Sequence, residues 1–242
     1  MRAFGDALKW LVTGSHWVGS EGIPVRTLQH AELSVVSIAL AVVIAVPIGM
    51  YIGHTRRFQF LAVSTANLGR AVPSFGILVI AYVVVLKVAS AFAFGFVPTV
   101  VALVLLAIPP ILTNAYVGIQ SVDPDMVEAA RGMGMTEREV LTKLELPLAA
   151  PLIMAGVRTA AVTVVATATL AALIGGGGLG RFIIDGFSQG DTSMLVAGAI
   201  LVAILAIITE VGFGFVERGV TPKTRSARRE VSLLAPHPIV AS

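Results

Sequence analysis

From Ser34 to Gly53 the chain carries no charged residue, and about 20 apolar residues suffice to cross the hydrocarbon core of a bilayer. That stretch predicts a first membrane span. Within it Gly49 and Gly53 form a small-xxx-small pair that lets another helix approach closely. Comparable blocks follow at Val97 to Gly118, which contains Pro109-Pro110, at Ala149 to Ile174, and at Met194 to Phe215. The block from Phe58 to Leu86 has an awkward length, since two crossings need about 40 residues plus a turn and one straight helix only about 20. It is read as one span, chiefly Ser74 to Leu86, preceded by a broken, partly cytoplasmic portion around Asn67 to Pro73. There Pro73 disfavours a helical conformation at Val72 and removes a donor. The composition agrees: 56% of the residues are hydrophobic and 13% charged, and the mean hydropathy is +0.91, well away from the soluble average. The expected fold class is an all-α integral membrane protein with about five transmembrane helices.

Charge placement says more than net charge. A formal +3 hints only weakly at nucleic acid, and no nucleic-acid partner is expected, because the basic residues cluster between and after the apolar blocks. With five spans, Arg56 and Arg57, then Arg131, Arg138 and Lys143, then Arg218, Lys223, Arg225, Arg228 and Arg229 share one side. The positive-inside rule makes that side the cytoplasm and leaves the N-terminus outside, in a multi-pass protein of the cytoplasmic (inner) membrane. Residues 1–29, with Trp10 and Trp17 among charged neighbours, suit the headgroup level, where indole rings are favoured. Residues 30–218 form the membrane domain. Residues 219–242, rich in proline and without periodicity, are expected to be a disordered cytoplasmic tail.

Between the third and fourth of these spans lies a polar island, residues 123–147. Asp123 is a good N-cap and Pro124 suits the first helical position, so a short helix can carry Glu128 to Arg131 before Gly132 and Gly134 end it. Thr136 and Glu139 have capping-box spacing, and Val140, Leu141, Leu144 and Leu148 share a face of the helix that follows. Pro147 marks the next change of direction. Two short helices joined at a glycine elbow make a charged knob on an apolar base, suited to docking a soluble partner.

The island also resembles the signature loop of ATP-binding-cassette (ABC) importer permeases. That loop reads Glu-Ala-Ala, three residues, Gly, nine residues, an aliphatic residue, one residue, Leu-Pro. Here those places are Glu128-Ala129-Ala130, Gly134, Leu144 and Leu146-Pro147, with no departure from the pattern. By the order of its apolar blocks the resemblance runs from about Thr27 to about Arg218. It implies the type I importer permease fold, a loop that seats coupling helices in a cleft of a separate ATPase subunit, and an extracytoplasmic substrate-binding protein. It also implies a second permease copy or a sister permease, all assembled in membrane lipid. Glu128 is then the main polar anchor and Ala129 and Ala130 allow close approach. Gly134 makes the elbow, while Leu144, Leu146 and Pro147 fix the second helix to the membrane domain. The whole chain is most similar to permeases for glycine betaine, choline or carnitine, with permeases for methionine and other amino acids as the alternative.

Other chemistry is disfavoured. Gly175-Gly176-Gly177-Gly178-Leu179-Gly180 contains a formal G-x-G-x-x-G, but it follows a membrane block, not a strand. As a P-loop it fails because Arg181-Phe182 stand where Lys and Ser/Thr should be. The chain is therefore expected to be no enzyme, with ATP hydrolysed elsewhere. The loop reads as an external turn near the translocation path, and Gly177, Gly178 and Gly180, with Arg70 and Pro73, are path candidates. Zero cysteines and four scattered histidines offer no metal ligand set, and no cofactor is expected. Arg158 and Glu210 lie inside spans, where ionisable residues suggest function by default, but each is near the cytoplasmic end and snorkelling is the simpler reading. A secondary transporter driven by an ion gradient would show two related halves and mid-membrane acids. Neither is evident.

Overall fold

The computed structural model describes residues 2–60, 62–64, 67, 72–92 and 94–220. Regular structure among them is entirely helical. The elements are α1 (Arg2–Val12), α2 (Ile23–Thr55), α3 (Ser74–Val88), α4 (Phe96–Gln120), α5 (Pro124–Gly132), α6 (Leu146–Thr167), α7 (Gly180–Gln189) and α8 (Thr192–Val220). A short turn Glu137–Glu139 and a π-helical stretch Val140–Glu145 run directly into α6, and a 3-10 stretch Ala168–Ile174 follows it.

Among the described residues four helical segments are long and apolar enough to cross a membrane: Ile23–Thr55, Phe96–Gln120, Glu137–Ile174 and Thr192–Val220. A helix satisfies its backbone donors and acceptors internally, as a hydrocarbon environment requires. The remaining expected span is α3, whose 15 residues rise about 22 Å. It starts at Ser74, directly after Pro73, as the proline dictates. The tail and much of the segment before Pro73 lie outside the described residues. First-span helix α2 is longer than its uncharged core, starting at Ile23 with Pro24 in its first turn. Pro47 in α2 and Pro109 and Pro110 in α4 leave their helices unbroken.

Small residues hold the bundle together. Along α2 and α4 a Cβ built on Gly49 would lie 2.6 Å from the Ala115 Cβ, and one on Gly53 would lie 2.7 Å from the Ile119 Cβ. Where α4 meets α6, a Cβ on Gly156 would lie 2.5 Å from the Asn114 Cβ. Ala41, Ala45, Ala107, Ala160 and Ala161 fill the shared core with Leu103, Ile111 and Val164. Backbones this close exchange dispersion contacts along their length, the main association force in lipid. Hydroxyls inside the helices are satisfied locally: Ser34 donates to the His30 carbonyl, Ser37 to Leu33 and Thr209 to Leu205.

Two ends of the bundle are distinguishable. One gathers the end of α2, the segment 123–145 and the end of α8. The other gathers the start of α2, the glycine-rich turn and α1, which packs on α8 and sets Trp10 edge-on to Phe182. Between the last two apolar blocks the glycine-rich turn leads directly into an ordered helix, α7. Its Phe182 and Gly186 are buried, with the Gly186 backbone close against Leu195.

Candidate functional site

Segment 123–145 is a knob with a small core of its own. Asp123 accepts from the Asp125 N–H at 2.9 Å and starts α5. The helix closes at Gly132, and Gly134 takes φ +86°, the left-handed elbow that glycine adopts without penalty. Thr136 and Glu139 then form a complete capping box. Lys143 donates to Glu139 at 2.8 Å one turn further on. Val122, Val127, Ala130 and Val140 are buried together, with Met135 and Leu144 packed against them. Leu146 instead joins Ala115, Ile119, Ala149 and Ile153 at the base of the spans.

This arrangement divides the residues singled out in the sequence. Glu128, Ala129 and Gly134 are exposed, and Glu128 also lines an open cavity between the knob and the end of α2. Ala130 and Leu144 face inward and hold the knob's own two arms together. Leu146 ties the knob to the membrane domain, and Pro147, exposed in the first turn of α6, has no N–H to offer the preceding turn. The π-helical stretch lies immediately before it, with the Leu146 N–H bonded to the Leu141 carbonyl.

The path candidates lie elsewhere. Arg70 is outside the described residues, and Pro73 sits exposed at the start of α3. Gly177, Gly178 and Gly180 form a tight turn at the opposite end of the bundle. Gln29 Oε1 accepts from the Gly178 N–H at 3.0 Å and from Arg26 at 3.1 Å. Buried His30 accepts the Leu179 N–H on Nδ1 at 3.3 Å, which leaves Nε2–H to donate to the Val165 carbonyl at 2.8 Å. A Cβ on Gly177 would fall 2.2 Å from Gln29 Oε1, and one on Gly180 would fall 2.1 Å from the Thr169 carbonyl oxygen. Close packing of the turn therefore requires glycine at 180, where the obstacle is backbone, whereas at 177 it is the tip of the Gln29 side chain.

Two polar features were not legible. Arg158, read as a snorkelling residue, pairs with Glu210 and, at 2.9 Å, with Glu217, both on α8. An ion pair between helices lowers the cost of both charges at this depth, so neither side chain has to reach water alone. The second feature is at the base of the knob, where His54 of α2 meets two carboxylates. Its Nδ1 is 2.6 Å from Glu145 Oε2, and its Nε2 is 3.1 Å from Glu137 Oε2. Glu137 also receives Nε and Nη2 of Arg131, both at 2.9 Å, which raises the Arg131 guanidinium above its ordinary range. The available signal was Glu145 itself, a carboxylate set between Leu144 and Leu146-Pro147, since a buried charge demands a partner.

Residues 45–222 match the family model described as the binding-protein-dependent transport system inner membrane component. The chain is 37% identical over 207 residues to the glycine betaine/carnitine/choline transport system permease protein of Bacillus subtilis (strain 168), covering 86% of this chain and 92% of that protein. It is 36% identical to the carnitine transport permease protein of Listeria monocytogenes, covering 85% and 91%. With the osmoprotectant import permease protein of Salmonella typhimurium the identity is 34%, covering 85% and 92%. Among solved structures, the MetNI methionine ABC transporter in inward-facing conformations superposes with a TM-score of 0.73 at 22% identity, covering 82% of this chain and 96% of that one. At that identity the likeness establishes the fold, that of a type I ABC importer permease.

Proposed function

Because the chain belongs to the family of binding-protein-dependent transport inner membrane components, we propose that it moves a quaternary-amine osmoprotectant, glycine betaine, choline or carnitine, into the cell. It is the membrane-spanning permease subunit of an ATP-driven importer. Members of this family work with a separate ATPase and a substrate-binding protein, and the coupling surface here is the exposed face of the knob, with Glu128 as its polar anchor. The observation that carries this reading is the knob itself. Five of the seven places of the family pattern lie in one compact unit, with Glu128, Ala129 and Gly134 exposed and Ala130 and Leu144 inward, and the other two, Leu146 and Pro147, join it to α6. ATP-driven closure of the ATPase dimer would move the knob and rock the spans between outward- and inward-open states.

The solute assignment draws on the functions of the relatives. Uptake of labelled glycine betaine or choline into proteoliposomes should require this chain, its ATPase and its binding protein together. A complex that carries methionine and ignores quaternary amines contradicts the assignment.

In the same reading, the knob, the end of α2 and the end of α8 face the cytoplasm, and residues 1–29 and the glycine-rich turn face outward. Residues 30–218 make up the membrane domain, 219–242 a cytoplasmic tail, and a second permease copy or a sister permease completes the passage. Reporter fusions at Arg57 and Ser226 should give cytoplasmic signals and one at Gln189 an external signal. An external signal at Ser226 overturns this topology.

A further inference from the structure

We propose that His54 and Glu145 form the latch through which movement of the knob reaches α2, a proposal that rests on the knob being an ATPase dock. Both side chains are largely withdrawn from water, with 12% of His54 and 7% of Glu145 exposed. His54 Nδ1 lies against Glu145 Oε2 at 2.6 Å and Nε2 faces Glu137 Oε2 at 3.1 Å, so one ring clasps both carboxylates. That ring sits in the last turn of α2.

The clasp connects elements that the chain separates widely. Glu145 ends the π-helical stretch that runs into α6, and Leu146 beside it packs on α4. Glu137 opens the second arm of the knob and is held by Arg131, one turn along α5 from Glu128. A continuous polar line therefore runs from the docking helix through Arg131, Glu137 and His54 to Glu145. Beside it lies a cavity of about 490 Å³, lined by Gly53, His54, Ile119, Glu128, Arg131 and Glu145. The open space leaves the knob free to shift on this side, and the clasp makes α2 follow. His54 and Glu145 are positioning residues in this account, since they touch neither solute nor nucleotide.

The test compares the reconstituted complex with one carrying His54→Leu and Glu145→Leu together. Replacing both partners leaves no buried charge unpaired, and such replacements are often neutral or stabilising. The double variant should insert, co-purify with the ATPase and hydrolyse ATP at the wild-type basal rate. Its labelled glycine betaine uptake per ATP hydrolysed should fall by about tenfold or more, the equivalent of ~1.4 kcal/mol of lost coupling. An unchanged ratio overturns the latch. Loss of ATPase co-purification overturns it too, because the pair would then build the dock instead of transmitting its movement. Glu128→Lys, run in parallel, reports on the docking reading alone: if that variant keeps its ATPase, the dock is wrong whatever the double variant does.

Discussion

Glu128→Lys should insert and express like the wild type, yet lose the ATPase subunit on purification and with it solute uptake, by about tenfold or more. The substitution puts a positive charge on the exposed face of α5, where Glu128 lines the cavity together with the cations Arg56 and Arg131. It therefore both removes the proposed anchor and adds repulsion between like charges. Stability should fall by no more than about 1 kcal/mol, since Glu128, Arg56 and Arg131 are all exposed and charge interactions between exposed side chains are weak. Gly134→Val should fail by a different route. No heavy atom lies within 4 Å of a Cβ built there, so space is not the obstacle. The obstacle is φ +86°, which costs an L-residue roughly 1–2 kcal/mol and a β-branched one more. Gly134→Asn, whose side chain tolerates the left-handed region, should retain most ATPase binding. Equal loss in the valine and asparagine variants would show that the elbow's conformation is not what matters.

Gly49→Leu should abolish assembly, whereas Gly76→Leu should not. Both glycines lie within apolar helices, but a Cβ on Gly49 meets the Leu112 carbonyl oxygen at 2.8 Å as well as the Ala115 Cβ at 2.6 Å, and a Cβ on Gly76 meets nothing within 4 Å. A backbone carbonyl cannot swing aside as a side-chain tip can. The leucine would have to part α2 from α4, with an overpacking cost of about 3 kcal/mol or more. Because Gly53, one turn on, faces Ile119 just as closely, the separation would spread to the end of α2 and unseat His54 from the knob. Fluorescence-monitored size exclusion of the two variants is the check. A monodisperse Gly49→Leu protein with wild-type thermal stability would mean that the α2–α4 approach is not needed.

What the sequence made legible were features written locally. Long runs free of charge gave the spans, and Asp123-Pro124 and the Thr136–Glu139 spacing gave the two starts within the knob. The start of α2 was hidden because Arg26, His30 and Glu32 depress hydropathy there, although polar residues continue a helix perfectly well. Helix α7 was hidden by the glycines before it, which look like a loop until Phe182 and Gly186 are seen packed against Gly198 and Leu195. The π-helical stretch has no periodicity of its own to betray it. Least visible were the pairs that only folding creates. His54 and Glu145 are 91 residues apart, and His54 was only one of four scattered histidines; Arg158 and Glu210, 52 apart, looked like two separate snorkelling residues. Hydrophobic periodicity reports which face is buried and says nothing about which charges meet.

The central claim is that the outer face of the knob receives the ATPase. The chain contains no cysteine, so a single Glu128→Cys substitution carrying a thiol-linked photo-crosslinker labels one place only. Irradiation of the assembled complex should join this chain to the ATPase subunit from that position, and a probe on Gln189→Cys, at the opposite end of the bundle, should not. A crosslink to the ATPase from Gln189→Cys with none from Glu128→Cys would contradict the account.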